Sequence, residues 1–391
     1  MRFLFVKPGL AYPRSSGHDV HTYEMMRALA ARGAEVALLT REPATDEATS
    51  GLDLAWRGDF GNAPKPNGAA ASDMTWAQRK FASYWGVPDE HIAGVGALAR
   101  ELEADAVVAV GLGVLPYLSA VRGAQRVWYA ADEWVLHHWT LFSALRPKTY
   151  PNLKAAAVKG FYERAFAPAI DRVWVVSEAD ARAVRRVMGV RAVDVVPNGV
   201  DATHFQPVQS EEISQSAVFW GRLDFEPNID ALRWFLTTVW PRLIKQRPGA
   251  TFSVFGFNPC DEVRRLCQAP GVEVIADLPD LRDEIAKRQV VVLPFISGAG
   301  IKNKLLEAAA MARPIVVSPT AVAGLNLAGH ETVVRCERAE QWAAALGELW
   351  DDPNRRAKLG AGARQWVTET HSWRRCAAIA MTALSNSRAT P

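Results

Sequence analysis

The stretch 294–319, PFISGAGIKNKLLEAAAMARPIVVSP, brings a Ser-Gly-Ala-Gly loop, two lysines and a glutamate into one short run. An apolar strand ends at Pro294, the loop follows, a helix should then carry Lys302, Asn303, Lys304 and Glu307, and a second apolar strand begins at Pro314. Such a loop suits an anion. Gly298 and Gly300 allow a tight turn and close approach of backbone to ligand, while the free N–H groups and positive dipole end of the helix favour phosphate. Lys302 and Lys304 add full positive charges. Glu307, about two turns beyond Gly300, can accept hydrogen bonds from sugar hydroxyls. Together these residues suit a nucleotide sugar. A plain strand-loop-helix, with glycines serving the turn and lysines in solvent, fits the loop taken alone equally well.

The elements that must position these residues alternate from end to end, which predicts parallel sheets with helices on both faces. RFLFVKP reads as a buried strand, Gly9–Gly17 as a loop into a helix stopped by Gly33, and AEVALLT as the second strand. Residues 42–72 read as a surface excursion with LDLAWRG as its one strand. Helices are expected over Trp76–Trp85 and Pro88–Glu103, followed by the strands AVVAVG, RVWYAAD and DRVWVVS with helices between them and a further helix at Glu178–Met188 after the last. The pattern restarts at AVFWG. Asn228 should cap an amphipathic helix carrying Ile229, Leu232, Leu236, Val239 and Leu243, and Asp280 should cap the helix before VVVLPF. The last ~40 residues read as helices.

A chain of 391 residues exceeds what one core usually organises. Two domains are therefore expected, and 49% apolar residues suffice for two cores. A net charge of +3 and a pI near 8.7 are too mild for nucleic acid, though a weakly basic face could meet anionic lipid at the inner membrane surface. MRFLFVKPGL is too short an apolar run for a signal peptide and no segment reaches the ~18 apolar residues of a span, so a cytoplasmic protein is expected. Cys260, Cys267, Cys336 and Cys376 show no metal-ligand spacing and read as reduced packing residues.

The loop and helix 294–319 resemble the donor-binding signature of GT-B glycosyltransferases of family 4. In that signature two glutamates flank a Gly-rich loop, and an apolar helix is followed by a PVV-like strand. The second glutamate maps to Glu307 and the helix to Leu305–Met311, whereas Ala299 stands where the first glutamate belongs. The chain thus resembles the sub-branch whose loop reads GAGIKNKLLEA. Further matches are the linker VPNGVD at Val196–Asp201 with Phe205 and Pro207, the VWVVSEAD segment at Val173–Asp180, Gly221-Arg222-Leu223, and Ser372-Trp373. In the family the GRL arginine grips the donor diphosphate, as a planar fork can. A lysine usually follows five residues later; here that place is Pro227, so Lys302 and Lys304 would supply the charge.

What the resemblance implies is a GT-B fold, two Rossmann-like domains facing across a cleft. The acceptor-binding domain spans 1–196, a hinge 197–201, the nucleotide-sugar domain 202–370 and a returning C-terminal helix 371–391. Pro13–His18 resembles the family's Gly-rich loop, with Ser16 and Gly17 facing donor phosphate and acceptor. No G-x-G-x-x-G stands there, which counts against a dehydrogenase. His18 could orient an acceptor hydroxyl or simply open the helix. Asp132, preferred to Glu133, could polarise the acceptor hydroxyl or stabilise an oxocarbenium-like charge, and either could equally cap the next helix. Arg222, Gly300, Lys302, Asn303, Lys304 and Glu307 form the expected donor site. No cofactor or metal is expected, because cations and helix dipoles can neutralise a departing diphosphate. The expected activity is transfer of a sugar, with retention, from a nucleoside diphosphate to a glycan, lipid-linked or small-molecule hydroxyl. The alternatives are a non-catalytic nucleotide-sugar-binding subunit and a nucleotide-sugar 2-epimerase.

Overall fold

The structure, a computed structural model, describes residues 1–12, 14, 17–61, 74–130, 135, 138–139, 142, 149–297, 300–327 and 331–388. The chain divides into two compact units, Met1–Asn198 with Trp373–Pro391, and Gly199–Ser372.

In the first unit seven strands pair in parallel. They are β1 (Arg2–Lys7), β2 (Glu35–Thr40), β3 (Trp56–Asp59), β4 (Ala106–Val110), β5 (Gln125–Ala130), β6 (Arg172–Val175) and β7 (Val193–Val195), in the order β3-β2-β1-β4-β5-β6-β7. Near-continuous apolar strands fit a sheet covered on both faces. Successive β1 residues accordingly enter two different cores, Leu4 and Val6 one, Phe3 and Phe5 the other. The first core lies under α3 (Trp76–Tyr84), α4 (Asp89–Glu101), α5 (Tyr150–Phe166) and α6 (Glu178–Met188). The second lies under α1 (Gly17–Ala30), with the short α2 (Asp46–Thr49) at its edge. The predicted strand LDLAWRG is shorter than expected. Pairing with β2 begins only at Trp56, after Ala55 N–H has already bonded Val36 O at 2.8 Å.

The second unit holds β8 (Ile213–Arg222), β9 (Thr251–Phe257), β10 (Val272–Ala276), β11 (Arg288–Leu293), β12 (Ile315–Val317) and β13 (Val334–Arg335), all parallel, in the order β10-β9-β8-β11-β12-β13. Its helices are α7 (Glu226–Trp234), α8 (Trp240–Gln246), α9 (Asp261–Leu266), α10 (Arg282–Ala286), α11 (Asn303–Ala310), α12 (Ala339–Asp351) and α13 (Pro353–Thr370). The chain then returns to the first unit as α14 (Trp373–Arg388), where Trp373, Cys376, Ala377, Ala380 and Leu384 join the core beneath α1.

Three local expectations are corrected. Asn228 does not cap α7, whose first residue is Glu226; it lies inside the first turn with its side chain turned inward. The expected single helix from Asn228 onward is broken by a π-helical segment, Phe235–Val239. Pro241 explains it, since proline has no N–H for the preceding turn and its ring crowds the carbonyl. The five predicted apolar residues are still all buried. Asp280 accepts Arg282 N–H at 2.9 Å, but Leu281 is the residue at the cap of α10. All four cysteines are unbridged thiols. Among the described residues no helix is long and apolar enough to cross a membrane.

Candidate functional site

Two central strands of the second unit, β8 and its neighbour β11, deliver the chemistry at their C-terminal ends, the usual ligand edge of an open parallel sheet. Beyond β11 the chain enters the Ser-Gly-Ala-Gly loop; Gly298 and Ala299 lie outside the described residues. Gly300 emerges with φ +76°, a left-handed conformation that favours glycine, and Lys302 occupies the N-cap position of α11. Lys304 and Glu307 are three residues apart on that helix and so share a face.

That face meets the end of β8. Trp220 Nε1–H donates to Glu307 Oε2 at 3.0 Å, and Lys304 Nζ donates to Asn228 Oδ1 at 3.3 Å. Asn228 is 2% exposed, and its Nδ2 donates at 2.6 Å to Arg222 O. Aromatic rings line the lysines: Lys304 Nζ lies 5.7 Å from the Phe295 centroid, and Lys302 Nζ lies 5.4 Å from the same ring. Removal from water dominates the protonation of both partners. Burial pushes the Lys304 ammonium down to about 8 against the opposing pull of Glu307. It also pushes the Glu307 carboxyl up, although the Trp220 hydrogen bond and Lys304 hold it down. Each group is shifted toward neutrality, and an incoming anion would stabilise the lysine's charged form.

Gly221 makes room for this arrangement. Its φ is +144°, and an added Cβ would come within 2.4 Å of Lys304 Cε, so the lysine passes over bare backbone. Arg222 follows, with its side chain about half exposed. Its fork is occupied by its own near neighbour: Nε and Nη2 each donate at 3.0 Å to the two oxygens of Asp224. The pairing raises the Arg222 pKa and lowers that of Asp224.

In the first unit, Gly17 opens α1 and is exposed, while His18 is partly buried and its carbonyl accepts from Thr22 Oγ1 at 2.7 Å. Pro13, Ser15, Ser16, Asp132, Glu133 and His137 lie outside the described residues. His18 lines a pocket of about 280 Å³ at the ends of β1 and β4, together with Lys7, Pro8, Trp85, Gly111 and Lys159. Lys7 is buried there and paired at 2.5 Å with buried Asp19 of α1, and it also donates to Gly9 O at 2.7 Å. Lys159 contacts His138 Nε2 at 2.7 Å, and burial lowers the pKa of both. His21 is buried, its Nδ1 3.0 Å from the buried Tyr129 hydroxyl and its ring 5.1 Å from that of Trp373.

Residues 15–204 match the family model described as Glycosyltransferase Family 4, and residues 214–352 that described as Glycosyl transferases group 1. The chain is a GT-B glycosyltransferase. Its fold is that of sucrose-phosphate synthase from Thermosynechococcus elongatus, to which it is 15% identical with 100% of both chains covered at a TM-score of 0.71. It is likewise similar to TarM of S. aureus (11% identity, 98% of this chain and 99% of that one, TM-score 0.72). A third solved structure is HepE of Anabaena in complex with UDP (14%, 99% and 100%, TM-score 0.64). No curated protein matches the sequence significantly.

For this transferase, the sequence singled out Lys304 and Glu307 as candidates but did not connect to them the three β8-side residues they meet, Trp220, Gly221 and Asn228. Gly221 carried a usable signal, because a glycine at the end of an apolar strand permits a close approach. Trp220 and Asn228 carried none: one read as core and the other as a cap. Lys7 was also missed, though a lysine ending an apolar strand was the clue to its buried partner.

Proposed function

We propose that this glycosyltransferase binds a nucleoside diphosphate sugar on the second unit and transfers the sugar, with retention, to an acceptor hydroxyl. The observation that carries the reading is the half-desolvated pair Lys304 and Glu307 at the joint end of β8 and β11, held by Trp220 and Asn228. Lys304 with Lys302 and Arg222 would neutralise the diphosphate, the backbone N–H groups of Gly300 and around Asn303 would donate to its oxygens, and Glu307 would accept from the ribose diol. In the reaction the acceptor oxygen bonds the anomeric carbon and the bond from that carbon to the diphosphate oxygen breaks. The electron pair leaves with the diphosphate, and a diphosphate oxygen takes the acceptor proton. Ser16 and Gly17 belong in this reading to the phosphate-facing loop, His18 orients the acceptor, and Asp132 steadies positive charge on the sugar.

The donor loop GAGIKNKLLEA, with Ala299 in place of a glutamate, leaves the cations to do what a metal does elsewhere, so EDTA should not slow transfer. HepE has been solved with UDP and with UDP-glucose, and TarM with UDP and alpha-GlcNAc-glycerol, which makes uridine nucleotides the first donors to try. The acceptor is read as a glycan or lipid-linked hydroxyl, reached in the cytoplasm at the inner membrane surface. A panel of UDP, GDP and dTDP sugars in a thermal-shift assay tests the reading, because only a ligand of the native state raises the melting temperature by mass action. No shift with any nucleotide sugar, and no donor turnover, would reject it.

A further inference from the structure

Among the described residues, three of the most exposed large aromatic side chains stand on two helices of one layer. Trp76 is 75% exposed and Tyr84 76% on α3, and Phe161 is 70% on α5. Both helices cover the same face of the first sheet and pack on each other, with Gln78 Nε2 donating to Ala165 O at 2.8 Å and the Phe81 and Tyr162 rings 5.3 Å apart. Their buried sides are shared, so their outward sides look to solvent in the same direction. On α3 the outward stripe is Trp76, Lys80 and Tyr84, spaced at i, i+4 and i+8. On α5 it is Tyr150, Leu153, Ala157 and Phe161, flanked by Val158, Lys154 and Arg164, all exposed.

A protein core never receives these side chains, and their burial in water-free surroundings would be favourable. Charge decides between possible occupants. α3 has no acidic residue and the single acid of α5, Glu163, is wholly buried; Arg79 pairs at 3.4 Å with Asp89 of α4, and the other outward charges of the two helices, Lys80, Lys154 and Arg164, are all cations. Tryptophan and tyrosine among lysines and arginines on an amphipathic face match the boundary between lipid headgroups and acyl chains, where aromatic rings sit at headgroup depth and cations meet anionic lipid.

We propose that the outward face of α3 and α5 docks the enzyme on an anionic lipid bilayer. The proposal rests on the reading of the protein as a transferase with a lipid-linked acceptor, and it places that acceptor's source at the surface the first unit touches. The full chain should co-sediment with vesicles of phosphatidylcholine containing phosphatidylglycerol, and only weakly with phosphatidylcholine alone. Trp76→Ser with Phe161→Ser should lower vesicle partitioning roughly tenfold or more. Lys80→Glu with Lys154→Glu should abolish the preference for anionic lipid and its weakening by salt. These positions are solvent-exposed, so melting temperatures and calorimetric nucleotide binding should match wild type. Intact nucleotide binding with lost vesicle binding separates the two readings: wild type that binds vesicles but no nucleotide would sink the donor assignment and leave the membrane face standing. Wild type that stays in the supernatant with anionic vesicles, or variants that sediment like wild type, would overturn the membrane proposal. So would a concentration-dependent dimer abolished by the same substitutions without any vesicle binding, which would make the face a self-association surface.

Discussion

Lys304 is the residue on which the proposed donor site turns, and its protonation gives a sharp test. It titrates near 8 in the folded protein against an ordinary value of 10.5, so the unfolded chain holds its proton more tightly. Lys304 therefore costs stability at any pH below about 8, and the cost fades as pH rises from there toward 10.5. Lys304→Met should accordingly raise the melting temperature of the ligand-free protein at neutral pH while weakening UDP binding roughly 10–150-fold, the loss expected for a charge-assisted hydrogen bond. Bound diphosphate should pull the proton back. Calorimetry across the alkaline range should then show UDP affinity falling as pH passes about 8, with proton uptake on binding. Lys304→Arg should flatten that dependence, and a wild-type affinity level from neutral pH to well above 8 would remove Lys304 from the diphosphate. Arg222 offers a complementary test, because its fork lies on Asp224. Asp224→Asn should tighten UDP binding several-fold by releasing the guanidinium, and the gain should vanish in an Arg222→Ala background if Arg222 is the group that grips.

Among the elements, the turn from β8 into α7 acts as a strut for α11. Asn228 ties Arg222 O to Lys304 Nζ, so Asn228→Ala leaves a partly buried carbonyl without its donor and the lysine without its guide. A loss of about 1–3 kcal/mol in unfolding free energy is expected, together with weaker UDP binding. Unchanged UDP affinity in a merely destabilised variant would make Asn228 structural only. Gly221→Ala should act more locally, since its Cβ would displace Lys304 from a position 2.4 Å away. Helix α11 itself was legible in the sequence because glycines before it and an apolar run within it are local signals. The helix after Asn228 was legible in its buried face but not in its π-helical break, which comes from Pro241 acting on the turn before it.

At the scale of the whole molecule, the last helix belongs to the first unit. Trp373, Cys376, Ala377, Ala380 and Leu384 of α14 pack in the core with Met25, Met26 and Leu29 of α1. Removing residues 373–391 should therefore destabilise the first unit and spare the second, whose core contains none of these side chains. Hydrogen exchange read segment by segment should show faster exchange in α1, β1 and β2 with α11 and β11 unchanged. Equal loss of protection in both units would show that they unfold together.

The sequence by itself determined the alternation of strands and helices, the restart of that pattern near residue 217, and the loop-helix that carries Lys304 and Glu307. These follow from apolar periodicity, glycine placement and helical spacing, all of which act over a few residues. Only the tertiary structure decided what those side chains meet. Trp220 reaches Glu307 across 87 positions and Asn228 reaches Lys304 across 76, contacts created when β8 and β11 became neighbours in the sheet. The burial that shifts the lysine and the glutamate toward neutrality arises at that junction as well, because desolvation is a property of the packed surroundings and not of the residue that carries the charge.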